Sequence, residues 1–142
     1  MSDLVSPEEL KRISSEIEAQ KAREAFDLMQ KKEAEKQKLQ DAFFEREIRP
    51  DAKERISAAV RRAAGAGQRE ALIVTFSSSW TTDRGRRINN AEPDWPESLD
   101  GFAKRAYEYY VRELKPAGYK IRAEVLSFPG GIPGDIGLYL CW

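Results

Sequence analysis

Between Pro7 and Pro50 the sequence contains no glycine and no proline, and this uninterrupted stretch restricts the fold more than any other feature. Most of its residues are Ala, Glu, Lys, Gln or Arg, which have high helix propensities. Ser6 is placed to cap a helix, with Pro7 at the first helical position and Glu9 three residues after the cap. The sequence therefore predicts one helix over residues 7–47, about 60 Å long.

The apolar residues of this predicted helix fall into two groups, separated by a mostly polar stretch from residue 30 to residue 38. The first group supplies candidates for an interaction surface, namely Leu10, Ile13, Ile17, Phe26 and Met29. The second group is Leu39, Phe43, Phe44 and Ile48. Extending the first group at heptad spacing reaches polar residues, so the pattern does not indicate an unbroken coiled coil. We expect both groups to have packing partners, and a second copy lying antiparallel would bury both at once.

Pro50 ends or kinks the long helix, and a second helix is predicted over residues 51–64. Gly65 and Gly67 mark its end. Of the 14 aromatic residues, 11 lie after residue 66, and large rings dominate the burial of a core. We therefore predict a helical extension over residues 1–66 and a globular domain over residues 67–142.

The predicted globular domain contains a strand, a helix and two further strands, in that order. Residues 71–76 are apolar on both faces, which is typical of a central strand. The helix is predicted from a cap at Asp94 to about Lys115. Residues 119–128 and 136–142 then form a C-terminal hairpin around a turn rich in glycine and proline.

This order of elements predicts an α+β fold with two N-terminal helices and a small β-α-β-β sheet domain. The strand, helix and strand favour a right-handed parallel crossover, and the hairpin then adds an antiparallel strand. Because side chains alternate along a strand, Trp142 is expected on the same face as Leu138 and Leu140, packed on the helix.

Charge and composition exclude several kinds of function. The 24 basic residues balance the 24 acidic residues, so no bulk field attracts nucleic acid or anionic membrane. There is no histidine and one cysteine, so we predict no metal site, no cofactor and no disulfide within the chain. No stretch approaches the ~20 apolar residues of a membrane span, and the N-terminus lacks the apolar run of a signal peptide. A cytoplasmic location is expected.

The segment from residue 77 to residue 94 holds the candidates for ligand or anion binding. They are Ser77, Ser78, Ser79, Arg84, Arg86 and Arg87. The serines follow the first strand, at a sheet edge where ligands often bind, and arginine presents a bidentate fork to phosphate or carboxylate groups. A serine nucleophile would need a base, and no suitable pair is evident without histidine.

Three other interpretations concern an arginine-rich loop, a glycine-rich turn and the single cysteine. Trp80 beside the three arginines has the ingredients of a single-strand nucleic-acid site, although Glu92 and Asp94 are close enough in sequence to pair with them. The glycines between residues 130 and 137 precede a strand instead of a helix, which favours a hairpin tip over a phosphate loop. Cys141 lies in an apolar strand, where a thiol is usually an inert part of the core.

The leading hypothesis is a non-catalytic protein-interaction module, of the scaffold or inhibitor type, that self-associates through its N-terminal helix. Tyr109 is added to the interaction-surface candidates, because not all of the tyrosines at 107, 109 and 110 fit on one side of a helix. The alternatives are a small nucleic-acid-binding regulator that uses the Arg84–Arg87 loop and, less favoured, an enzyme acting on a phosphate-bearing substrate.

Overall fold

A computed structural model describes residues 3–142 of the chain. The chain divides into two compact units, Met1–Asp41 and Ala42–Trp142. The unit that contains the sheet therefore begins at Ala42 and includes the second helix, whereas the sequence-based division placed that helix in the extension.

The first helix, α1, spans Pro7–Glu45. The hydroxyl of Ser6 accepts a hydrogen bond from the backbone N–H of Glu9 at 3.2 Å, as the capping pattern predicts. From residue 3 to residue 41 every apolar side chain is exposed. This part of α1 is therefore a helix without a core of its own.

The second unit contains three further helices and three strands. They are α2 (Ala52–Gly65), β1 (Glu70–Ser77), α3 (Arg86–Asn89), α4 (Gly101–Tyr109), β2 (Lys120–Val125) and β3 (Asp135–Cys141). The strands form one antiparallel sheet in the order β1-β3-β2, with Ala71 and Ile121 both opposite Leu140. The predicted α+β class, with a long helix, a second helix and a small sheet, is confirmed.

The prediction that β1 is the central strand was wrong, because β3 occupies the centre. β1 and β2 run in the same direction, but β3 lies between them, so the helical connection passes over a strand instead of joining neighbours. The register of β1 shifts between Leu72 and Val74, and Leu72 remains 45% exposed. The apolar residues on both faces of β1 therefore belong to an irregular edge strand and do not mark the centre of the sheet.

The helix that was predicted from Asp94 begins later, at Gly101. Residues Trp95–Ser98 form a 3-10 turn, and Leu99 is extended. The α-helix therefore cannot begin before Leu99. Asp100 supplies the cap, since its carboxylate accepts a hydrogen bond from the N–H of Gly101 at 2.8 Å. After Tyr109 the helix widens into a π-turn over Tyr110–Leu114, and a 3-10 turn follows at Lys115–Ala117.

The core lies on one face of the sheet, where Ile136, Leu138 and Leu140 of β3 are fully buried. The end of α1 joins this core through Phe43, whose ring stacks with Phe76 at a centroid distance of 5.7 Å. Two clusters form. The first is Phe43, Phe76, Ile88, Leu99, Phe102, Ala103, Ala106, Ile136 and Leu138. The second is Tyr109, Tyr110, Leu114 and Leu140.

The chain end and the hairpin tip complete the sheet. Trp142 lies beyond β3 and is 40% exposed, with its ring edge-to-face on Tyr119 at 6.5 Å, so the prediction that it packs under the helix was wrong. The glycine-rich segment forms the tip of the β2–β3 hairpin, as expected, and Gly130 and Gly131 both have positive φ there.

Candidate interaction surface

A row of exposed apolar side chains runs along α1. It consists of Leu10, Ile13, Ile17, Leu28 and Leu39, which are between 44% and 63% exposed. At 3.6 residues per turn, Leu10, Ile17, Leu28 and Leu39 project within a sector of about 40° of the helix circumference. We refer to these five residues as the α1 row.

Phe26 and Met29, which the sequence analysis placed with Leu10 and Ile17, lie on a different side of α1. Helix geometry rotates them about 100–160° away from Leu28 and Leu10. Both are exposed, at 59% and 66%. The predicted surface residues of α1 therefore divide between two faces, and the longer face is the α1 row.

Leu28 was missed by the sequence analysis, although it is central to the α1 row. The signal that identifies it is a spacing of 11 residues, which separates Ile17 from Leu28 and Leu28 from Leu39. Eleven residues make about three turns of an α-helix, so a search at heptad spacing passes over this pattern.

Tyr109 does not contribute to an exposed surface. Only 9% of it is accessible, and it belongs to the second core cluster, against which Ala52, Ile56 and Val60 of α2 also pack. The expectation of an exposed ring was wrong because the helix that carries it is covered on two sides, by the sheet and by α2.

The serine candidates are engaged in local hydrogen bonds. The Ser77 hydroxyl lies 2.7 Å from the Ser79 hydroxyl and accepts from the Ser79 N–H at 3.2 Å. Ser78 is buried, and its hydroxyl donates to the carbonyl of Pro133 at 2.7 Å. Ser78 therefore attaches the loop after β1 to the hairpin.

Thr81 and Asp83 organise the turn that leads to the arginines. The Thr81 hydroxyl accepts from the N–H of Gly85 at 2.7 Å and donates to the carbonyl of Ser78 at 2.7 Å. The carboxylate of Asp83 accepts from the N–H groups of Gly85 and Arg87, each at 3.1 Å. These backbone donors are thus satisfied from within the loop.

Two of the three candidate arginines form ion pairs inside the fold, as the neighbouring acidic residues predict. Arg86 lies 3.8 Å from Glu92, and Arg87 lies 3.8 Å from Asp83 and 3.5 Å from Asp94. Arg84 is exposed and has no ion pair within the described residues. The loop therefore does not gather three free guanidinium groups at one point.

A cavity of about 230 Å³ in the second unit was not anticipated. Most of its lining residues are apolar, and the lining includes Arg46, Arg49 and Arg55 but no carboxylate or hydroxyl residue other than Tyr109. The carboxylate of Asp51 accepts hydrogen bonds from the guanidinium groups of Arg49, at 3.1 Å, and Arg55, at 3.0 Å. These bonds lower the pKa of Asp51, and the bond from Arg49 has the larger effect. The lining residues come from four parts of the chain, which local patterns do not connect.

The open face of the sheet carries an ion pair and the single cysteine. Arg122 donates to both carboxylate oxygens of Glu70, at 2.7 and 2.6 Å, and its guanidinium lies 4.1 Å from the centroid of the Tyr139 ring. The hydrogen bonds from Arg122 lower the pKa of Glu70. Burial raises the pKa of the Cys141 thiol, which is opposite to the shift that activates a cysteine.

Among residues 3–142, no group of three or more His, Cys, Asp or Glu side chains is arranged to hold a metal ion. No helix in that range is both long enough and apolar enough to cross a membrane. Comparisons with models of protein families, with curated proteins and with solved structures found no match to this chain.

Proposed function

We propose that this protein is a non-catalytic interaction module, acting as a scaffold or inhibitor, that self-associates through its N-terminal helix. The observation that carries the proposal is the α1 row, five Leu and Ile side chains that stay exposed along one side of the helix. We place its action in the cytoplasm, because small extracellular domains usually depend on disulfides and this chain has one cysteine.

The stability of α1 supports this proposal. Most helices in proteins are stabilised chiefly by packing of an apolar face, and less by helix propensity. The part of α1 within residues 7–41 buries no apolar side chain in its own unit. Full burial of a Leu or Ile side chain contributes about 1.5–3 kcal/mol, so a second helix on the α1 row would add stabilisation that α1 does not obtain within its own unit.

The nucleic-acid alternative receives less support from the same structure. Binding of arginine to phosphate displaces counterions from the nucleic acid and needs guanidinium groups that are not already paired, whereas Arg86 and Arg87 are held by carboxylates of the loop. Only Arg84 of the three has no such partner within the described residues. An enzymatic role receives less support as well, since the hydroxyl groups of the loop serines are hydrogen-bonded to one another or to backbone groups.

Sedimentation or light scattering of the 16.2 kDa chain at micromolar concentration tests the proposal. We expect a dimer or larger species for the wild-type protein. The triple variant Ile17→Lys, Leu28→Lys and Leu39→Lys should be monomeric, because it places charge on the α1 row.

The matched control carries the same added charge on the opposite side of the helix, as Ala19→Lys, Gln30→Lys and Gln37→Lys. These positions are rotated about 200° from the α1 row. The control should associate as the wild type does. A monomeric wild-type protein, or equal loss of association in both triple variants, would contradict the proposal.

A further inference from the structure

The charged residues that interrupt the α1 row repeat with the same period as its apolar residues. Lys21 and Glu24 lie between Ile17 and Leu28, and the same pair of residue types recurs 11 positions later. The later pair is Lys32 and Glu35, between Leu28 and Leu39. All seven residues project within a sector of about 80° on an ideal helix, so they share one contact face.

The charges on this face are free of ion pairs within the chain. Lys21, Lys32 and Glu35 form no ion pair among the described residues, and Glu24 accepts only a hydrogen bond from Gln20 at 3.3 Å. Lys and Glu three positions apart are close enough to interact on a helix. The structure nevertheless leaves them unpaired, so their charges remain available to a partner.

We infer that two copies of α1 pair antiparallel with the two Leu28 side chains facing each other at the two-fold axis. This inference rests on the proposed self-association and specifies its geometry. Around Leu28 the positions are symmetric, because Ile17 and Leu39 are both 11 residues away. Each Ile17 then faces Leu39 of the second copy.

The charged residues decide the orientation. In an antiparallel pair centred on Leu28, Lys21 faces Glu35 of the second copy and Glu24 faces Lys32, and each contact occurs twice. In a parallel pair, Lys21 would face Lys21 and Glu24 would face Glu24. Like charges opposed along a helix contact destabilise it, so the sequence favours the antiparallel arrangement.

The 11-residue period also fits two nearly straight helices. It corresponds to about 3.67 residues per turn, slightly more than the 3.6 of a straight helix, and gives a weak right-handed supercoil. A left-handed coiled coil requires a period of 3.5, which the α1 row does not have. The contact therefore does not require the continuous heptads that this sequence lacks.

Disulfide crosslinking of full-length single-cysteine variants in a Cys141→Ser background tests the arrangement. Leu28→Cys should form a covalent dimer on mild oxidation, because the two positions meet at the axis. Ile17→Cys alone and Leu39→Cys alone should not, since the two copies of either position would be about 33 Å apart. A mixture of these two variants should crosslink, because positions 17 and 39 face each other.

A control variant, Gln30→Cys, lies on the far side of the helix from Leu28 and should not crosslink. Covalent dimers of Ile17→Cys alone would show a parallel pair, and an associated protein in which Gln30→Cys reacts but Leu28→Cys does not would show another contact face. Either result overturns the register but leaves self-association intact. A protein that stays monomeric overturns both.

Charge exchange gives a second measurement. The variant Lys21→Glu and Lys32→Glu presents only acidic residues at these four positions, and Glu24→Lys and Glu35→Lys presents only basic ones. Each should associate about 100-fold more weakly than the wild type, a loss of about 2.7 kcal/mol, since four exposed ion pairs become repulsive. Mixing the two variants should restore association. Unchanged affinity of either variant alone would overturn the inferred pairing.

Discussion

Leu28 in α1 keeps 54% of its surface exposed, whereas Leu138 in β3 is fully buried among aromatic and aliphatic neighbours. The same residue type thus has two different roles in the two units of this chain. In the first unit, helix propensity and a capping residue account for the local structure. In the second, packing across a sheet determines which residues meet. A comparison of matched substitutions in the two units separates these contributions.

The largest expected difference is between Leu138→Ala and Leu28→Ala. Removing a fully buried leucine side chain costs about 2–5 kcal/mol of unfolding free energy, because a cavity remains. The same change at an exposed position should alter the free energy of the second unit by less than about 0.5 kcal/mol. Urea unfolding followed by tryptophan fluorescence reports on the second unit, which contains Trp80, Trp95 and Trp142. Equal losses in the two variants would contradict the comparison.

Gly101→Ala should destabilise the second unit by about 2–4 kcal/mol, from a strained backbone and an overpacked contact. Gly101 has a φ of +54°, and a Cβ there would lie 2.8 Å from Cε1 of Phe43 and 3.0 Å from Cδ1 of Phe44. Gly65→Ala is the control, because nothing lies within 4 Å of its Cβ position and it stands in α2. The control should be neutral or slightly stabilising in the same urea experiment.

Deletion of Trp142 should have a smaller effect, about 1–2 kcal/mol, from one lost ring contact and one lost hydrogen bond. The ring meets Tyr119 at 6.5 Å, and the backbone N–H donates to the carbonyl of Arg69 at 3.1 Å. Trp142→Phe retains the backbone donor and an aromatic ring, so it should recover most of the loss. A change in the urea midpoint as large as that of Leu138→Ala would show that the indole is more deeply packed than its 40% exposure indicates.

The smallest expected effect is the pH dependence that Glu70 contributes. Its pKa is lowered from 4.5 by hydrogen bonds from Arg122, so the folded state favours the charged carboxylate. This stabilisation is present above about pH 4.5, the unfolded value, and is lost as the pH falls through the lower folded value. Glu70→Gln should therefore flatten the fall in the urea midpoint between pH 5 and pH 3. Glu108→Gln, which removes one exposed carboxylate of α4, is the matched control.

The first two helices were largely predictable from sequence because the signals that mark them are local, whereas α3 was not predicted and α4 begins later than expected. The bounds of α1 and α2 fall within two residues of those predicted, since caps, glycines and prolines mark their ends. Strand order was not predictable in the same way. It depends on which strand pairs with both others, and the apolar run of β1 is compatible with either an edge or a centre.

The candidate surface was predictable in part. The apolar side chains of α1 are visible in the sequence, but Leu28 is found only when a period of 11 is tested in addition to a period of seven. The burial of Tyr109 follows from contact with α2, which no pattern within α4 reveals. The cavity beside Arg46 combines residues that are distant in sequence, so it required the folded structure.

The 11-residue spacing of the α1 row also couples the length of the helix to the direction in which its apolar side chains point. Each 11-residue unit advances the contact by about 16 Å while returning it to nearly the same side of the helix. Insertion of one further unit would lengthen the helix and preserve the direction in which its leucines point. An insertion of five residues would turn the contacts beyond it by about 140°, towards the opposite side. Natural variation in the length of such a helix is therefore expected to occur in whole units.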